Sequence, residues 1–146
     1  MAVVEFKSQV GSFGNNFNNR TEEAIGNATD ILTAYREGAF KTSPRPWCGY
    51  FMLLEDTPES RAAVDIREPH FGVFPEFQDS SYADRYRILC QKLVRERLYD
   101  AACLLLSNEK QGSRGEYSVP SEEISFRNFA ASLTAHAMAF AKYREK

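Results

Sequence analysis

Two residues of opposite charge stand two apart near the start of the chain, Glu5 and Lys7 in AVVEFKSQ. Side chains alternate faces along an extended strand, so residues i and i+2 share a face with their roots roughly 7 Å apart. The Glu5 carboxylate is a hard oxygen ligand of the kind that suits Mg2+. The Lys7 ammonium beside it can orient a water or offset charge that builds on a phosphate. Phosphodiester hydrolysis calls for that combination, a divalent ion to polarise the phosphate and activate water and a fixed cation nearby. Gln9 falls on the same face and completes a candidate catalytic set of Glu5, Lys7 and Gln9. The plain alternative is a surface ion pair, because E-x-K arises often by chance.

The elements that must position this pair read as follows. Ala2 to Lys7 has the β-branched Val3 and Val4 and then Phe6, which favour a strand. Val4 and Phe6 face one side of it, and Val3, Glu5, Lys7 and Gln9 the other. Ser8 to Asn19, with Gly11, Gly14 and several asparagines, reads as a loop. The spacing of Ala24, Ile25, Ala28, Ile31, Leu32 and Tyr35 predicts a helix from about Arg20 to Glu37, stopped by Gly38. Trp47 to Leu54 (WCGYFMLL) is apolar on both faces, the mark of a covered central strand. Strand, helix, strand in that order implies a parallel pair joined by a right-handed crossover.

Thr57 to Asp79, with Pro58, Pro69 and Pro75, reads as irregular. Ser81 and Asp84 form a capping pattern ahead of a helix whose apolar stripe is Tyr82, Tyr86, Leu89, Cys90, Leu93 and Val94. Tyr99 to Ser107 (YDAACLLLS) is read as a further strand rather than a second helix, and Asn108 to Pro120 as a polar loop. A last helix starts at Ser121, with Phe126, Phe129, Ala130, Leu133, Ala137 and Phe140 on one face.

The chain of 146 residues is 43% hydrophobic, enough for one domain over 1–146 with its own core. A net charge of −2 argues against a protein coated in positive charge, but a local basic groove is compatible with it. Cys48, Cys90 and Cys103 form no CxxC pair and make a poor disulfide framework, and His70 and His136 lie at no ligand spacing to them. They read as buried thiols of a reduced compartment. No leader-like segment and no membrane-length apolar run is present, so the reading is a soluble protein of a prokaryotic cytoplasm with no membrane partner.

An E-x-K strand followed by a helix and a parallel strand resembles the PD-(D/E)xK nuclease core. The stretches VEFKSQVGSFGNNFNNRTEEAIG, RPWCGYFMLLED, PHFGVFPEF and SYADRYRILCQKLVRERLYDAACLLLS are similar to the XhoI-type restriction endonucleases across nearly the whole chain. The resemblance implies an α/β fold, a partial PD-(D/E)xK core with a mixed sheet, a right-handed βαβ unit and flanking helices. It implies a type II restriction endonuclease that hydrolyses double-stranded DNA at CTCGAG with Mg2+, as a homodimer whose two-fold symmetry matches that of its site. By the same resemblance Glu5 is the metal-binding carboxylate, Lys7 the catalytic lysine, and Phe6 offers its backbone carbonyl to the metal. The family pattern carries a further Asp on a strand ahead of E-x-K, which this chain does not show. The expectation is therefore the C-terminal portion of a longer enzyme, with an inactive remnant that folds and binds DNA weakly as the alternative.

For reading DNA, Asn15, Asn16, Asn19 and Arg20 follow the E-x-K strand directly. Asn pairs with adenine and Arg with guanine, and CTCGAG carries both bases in each half-site. The same asparagines also suit turns and helix caps. Arg85 and Lys92 share a helix face at seven-residue spacing and are candidates for phosphate contacts, against the alternative of a solvated polar face.

Overall fold

A computed structural model describes residues 1–68 and 70–144. Three strands, β1 (Ala2–Gln9), β2 (Trp47–Glu55) and β3 (Ala101–Ser107), form one sheet in the order β1-β2-β3. Both pairs are parallel, with Glu5 opposite Tyr50 and Met52 opposite Leu104. The sheet expected to be mixed is thus parallel throughout the described residues. The reason lies in the connections: each strand returns through a helix, α1 (Phe13–Arg36) after β1 and α3 (Tyr82–Arg95) after β2, and such crossovers bring the next strand in with the same direction.

The alternation of β2 and β3 builds the core on both faces. Tyr50, Met52 and Leu54 of β2 and Ala102, Leu104 and Leu106 of β3 pack against α1 and α3, joined by Phe13, Ala24, Tyr86 and Leu93. Trp47, Cys103 and Leu105 face the other way and meet Phe129 of α5 (Phe126–Arg144). Each such side chain taken from water contributes about 1.5–3 kcal/mol before the entropy of ordering it. Gly49 lets α5 approach: a Cβ there would fall 2.5 Å from the Trp47 ring and 2.8 Å from that of Phe129.

Helix α1 begins seven residues before the expected Arg20. The segment read as a loop is helical from Phe13, so Asn15, Asn16 and Asn19 stand on a helix. Its N-cap, Ser12, lies in the left-handed region (φ 46°) and makes no side-chain cap, so no local signal announces the start. Tertiary packing supplies it instead. Phe13 is buried and stacks on Tyr82 at 5.8 Å, and Phe17 meets Tyr86 edge-on at 5.1 Å. At its other end Gly38 (φ 78°) follows the helix as expected. Ile25, assigned to the apolar stripe, is 44% exposed, because the buried stripe runs through Phe13, Ala24 and Ala28.

The remaining elements are short. The segment after β2 holds α2 (Pro58–Arg61) and a 3-10 turn at Pro75–Phe77, with Pro69 outside the described residues. Ser81 and Asp84 close the capping box at the start of α3 as expected. The polar stretch after β3 includes α4 (Glu109–Gly112) and a bridge from Leu106 to Ser118. A 3-10 turn (Glu122–Ile124) stands where the last helix was expected to begin, and Phe126, placed on its apolar face, is half-exposed. The three cysteines are free and buried, and no helix among the described residues is long and apolar enough to cross a membrane.

Candidate active site

Strand β1 presents Glu5 and Lys7 to the α1 side of the sheet, and the two charged groups touch. Lys7 Nζ lies 3.3 Å from Glu5 Oε1, with the side chains 23% and 13% exposed. Both are held from a second direction. The Tyr99 hydroxyl donates to Glu5 Oε2 at 2.5 Å, and the Asn27 amide donates to Glu5 Oε1 at 2.9 Å. Lys7 Nζ sits closer still to Glu23, 2.9 Å from Oε2, and Arg20 reaches that same oxygen at 2.7 Å. Arg20, Glu23 and Asn27 fall at spacings of three and four on α1, one face of the helix turned to β1.

The electrostatics follow from these contacts. The hydrogen bond that Lys7 donates to Glu23, ahead of the opposing effect of burial and then the contact with Glu5, raises the Lys7 ammonium above its ordinary value. Lys7 and then Arg20 hold the Glu23 carboxyl below its own. Burial, with the bond to Glu5 second, pushes the Tyr99 hydroxyl upward, so it remains a proton donor. Tyr99 is fixed in turn by its neighbour Asp100, whose amide donates to the Cys48 carbonyl at 2.7 Å and whose carboxylate accepts from the Cys48 amide at 2.7 Å.

Phe6 lies between the pair, and its ring points to the opposite face, 5.3 Å from Phe51 and largely exposed. The Trp47 amide donates to the Met1 carbonyl at 3.1 Å, which sets the phase of the ladder. Odd-numbered residues of β1 bond to β2, and even-numbered residues turn their polar groups to the open edge of the sheet. The Phe6 carbonyl is therefore at that edge.

Gln9, by contrast, does not join the pair. It is buried and its amide bonds the Gly11 carbonyl at 2.5 Å, tying the strand end to the turn that enters α1. Asn15 and Asn19 are exposed one turn apart, while the Asn16 amide bonds back to the Ser12 carbonyl at 3.1 Å. Arg20 is committed to Glu23 beside Lys7. Arg85 and Lys92 do share a face, along an apolar hollow that includes Phe17, Ile88 and Leu93. Arg85 is bonded to Ser80 at 3.1 Å and lies over the Tyr82 ring, and Lys92 pairs with Glu76 at 2.7 Å. His136 contacts the Met1 carbonyl at 3.1 Å and stacks on Phe140.

Three residues of the site had not been singled out from the sequence: Glu23, Asn27 and Tyr99. The first two carried a legible signal, since they lie four apart on the helix that follows the E-x-K strand. Tyr99 carried none, being 94 residues from Glu5.

The oxygens here are of the type a hard divalent ion takes, and the cations of Lys7 and Arg20 already sit on them. Glu5 offers about four lone-pair positions, of which Tyr99, Asn27 and Lys7 occupy three, and the Phe6 carbonyl and Glu23 add oxygens. Among the described residues, no three His, Cys, Asp or Glu side chains gather closely enough to hold a metal by themselves.

The description of the restriction endonuclease XhoI family fits residues 1–119, from β1 through β3 and beyond. The chain belongs to the XhoI restriction endonuclease family. A type II restriction enzyme, BstVI of Geobacillus stearothermophilus, is 53% identical over 137 residues, 93% of this chain and 61% of the relative. The type II enzyme XhoI of Xanthomonas vasicola is 54% identical over 95 residues, 64% of this chain and 38% of the relative. The type II enzyme AbrI of Azospirillum brasilense is 67% identical over 72 residues, 49% and 32% of the two chains. This family member thus spans less than two thirds of the length of these relatives. No solved structure matches it.

Proposed function

We propose that this chain carries the E-x-K part of a type II restriction endonuclease that hydrolyses double-stranded DNA with Mg2+, at CTCGAG and as a homodimer in a bacterial cytosol. The observation that carries the reading is the contact between Glu5 and Lys7 on one face of β1, each braced from α1 or Tyr99. Mg2+ bound there supplies a Lewis acid and an activated water. Glu5 and the Phe6 carbonyl would hold it. Lys7, kept protonated by Glu23 and Glu5, places a fixed positive charge where the pentacovalent phosphate gathers negative charge. Asn15 and Asn19, exposed on the helix that follows the E-x-K strand, would meet base edges.

A duplex carrying CTCGAG, incubated with Mg2+ and the chain joined to the acidic strand that the family pattern places ahead of E-x-K, tests this. The expected result is metal-dependent cutting, reduced about a hundredfold or more in Lys7→Ala and Glu5→Gln, the scale of losing one transition-state contact. Cutting by Lys7→Ala at the original rate refutes the assignment.

A second reading, a folded but non-cutting DNA-binding piece, is favoured by the charge balance at the site, where Lys7 and Arg20 already sit on Glu5 and Glu23. It predicts binding that weakens steeply with salt, without nicking at any Mg2+ concentration. No binding even at low salt refutes both.

A further inference from the structure

Strand β1 has β2 on one side and, among the described residues, no strand on the other. The N–H and C=O groups of Val4, Phe6 and Ser8 point to that open side, since the odd-numbered residues bond to β2. A row of unpaired backbone groups along an eight-residue strand is a template for another strand. Its flank on the α5 side is apolar. Phe6 is 69% exposed there, and its ring continues a row that runs through Phe51 to Phe126 and Phe129. The far edge of the sheet is not open in the same way, because Leu106 of β3 exchanges two hydrogen bonds with Ser118.

The residues of β1 select what can pair here. When a strand meets an antiparallel copy of itself across a two-fold axis, the position of the axis sets which residues stand opposite. With the axis at Glu5 or at Lys7, that residue faces its own like charge. With the axis at Val4 or Ser8, neither charge meets an opposite one. With the axis at Phe6, Glu5 stands opposite Lys7 of the second copy, Lys7 opposite its Glu5, and Phe6 opposite its Phe6. The charged residues then form pairs without mutual backbone bonds, Cα atoms about 4.5 Å apart, where side chains come closest. Phe6 and its copy exchange two hydrogen bonds through the open-edge groups, and Val4 and Ser8 exchange two more on each side of the axis. The aromatic row then runs unbroken from Phe51 of one copy to Phe51 of the other.

We propose that the open edge of β1 binds a second copy of this chain, antiparallel and centred on Phe6, making one six-stranded sheet. The pairing occupies the β1 edge of both copies, so assembly closes at a dimer. It needs only the strand edge and is independent of the nuclease reading. It takes up the Phe6 carbonyl that the nuclease reading gives to the ion, so a paired edge is closed to metal.

Sedimentation equilibrium of the purified chain at tens of micromolar tests this. The expected mass is twice the 16.6 kDa of one chain. Ser8→Pro removes an N–H that points to the open edge and leaves the bonds to β2 in place, and Phe6→Lys sets two like charges opposite each other. Each should sediment as a monomer. Phe6→Cys should oxidise to a disulfide-linked dimer, since Cα atoms about 5.5 Å apart suit that bond. Val10→Cys should not, because in this register its two copies lie about 26 Å apart, eight residues of strand rise. The native cysteines are buried.

A monomeric parent overturns the proposal. So does a dimer that survives in both Ser8→Pro and Phe6→Lys, because its contact then lies elsewhere. An open-ended aggregate, or equal oxidation of Phe6→Cys and Val10→Cys, overturns the two-fold register. Thermal melts establish that the two monomeric variants are folded, and none of these outcomes depends on whether the chain cuts DNA.

Discussion

Two buried tyrosines, Tyr50 and Tyr99, have ring centroids 5.5 Å apart and are 0% and 4% exposed, yet the structure assigns their hydroxyls opposite energetic roles. Tyr99 donates to the Glu5 carboxylate at 2.5 Å, with the Ala24 carbonyl 2.9 Å away as a second acceptor. The Tyr50 hydroxyl is buried without a hydrogen-bond partner among the described residues. Replacing tyrosine by phenylalanine removes one oxygen and adds no bulk, so the same edit at the two sites isolates the bond. At Tyr99 the loss is a hydrogen bond to a charged group, about 1.5–3 kcal/mol. Ala24 lies within α1, where its carbonyl keeps its helical partner, so the loss is confined to the bond itself.

At Tyr50 the edit removes a polar group whose unpaired burial costs about 1–3 kcal/mol, so stability is expected to stay level or rise. For a chain of this length about 1 kcal/mol moves the melting midpoint by about 2–4 °C. Tyr99→Phe should therefore melt about 3–12 °C below the parent, and Tyr50→Phe at or above it. Urea titrations give the same comparison as a shift in midpoint at constant slope. Equal losses in the two variants refute the reasoning, because they would mean that the bond to Glu5 contributes nothing that a partnerless hydroxyl does not.

Other outcomes follow from the packing and from the charge pairs. Gly49→Ala should destabilise by about 3 kcal/mol or more, beyond ordinary overpacking, since its Cβ meets two rings at 2.5 and 2.8 Å; urea unfolding measures it. The Arg61 hydrogen bonds, opposed by burial, hold the Asp56 carboxyl below its ordinary 3.8. A depressed carboxylate contributes its stability above 3.8 and loses it as pH falls through the lower folded value. The difference in melting midpoint between the parent and Asp56→Asn should hold at neutral pH and close below that point. The Lys7–Glu23 pair has its lysine raised above 10.5 and its glutamate lowered below 4.5, so it is intact between those values. The difference between the parent and Glu23→Gln in melting midpoint should be flat across the neutral range. It should shrink only as pH rises past 10.5 and Lys7 deprotonates, or as it falls past 4.5 and Glu23 protonates.

Local regularities were sufficient for much of this protein. Alternation along AVVEFKSQ put Glu5 and Lys7 on one face, because a strand has a period of two whatever packs on it. Strand-length apolar runs found β2 and, from YDAACLLLS, β3, and the Ser81–Asp84 box fixed the start of α3. The long stretches shared with the XhoI family made the membership legible before any coordinate. Local chemistry misled at Ser8 to Asn19, where asparagines and glycines suggested a loop. Phe13 and Phe17 had the four-residue spacing of a helix face, but their weight depended on Tyr82 and Tyr86, residues about 70 positions later in the chain.

The surroundings of the charged pair belong to the tertiary structure alone. A strand's period says that Glu5 and Lys7 are neighbours; it does not say what else reaches them. Glu23 and Asn27 arrive because α1 folds back over β1, and Tyr99 because Asp100 ties the start of β3 to Cys48 of β2. Charges and hydrogen bonds act over a few ångströms regardless of separation along the chain. The sequence therefore determined which groups the site contains at its centre, and only the folded sheet decided which groups hold them, and at what distance.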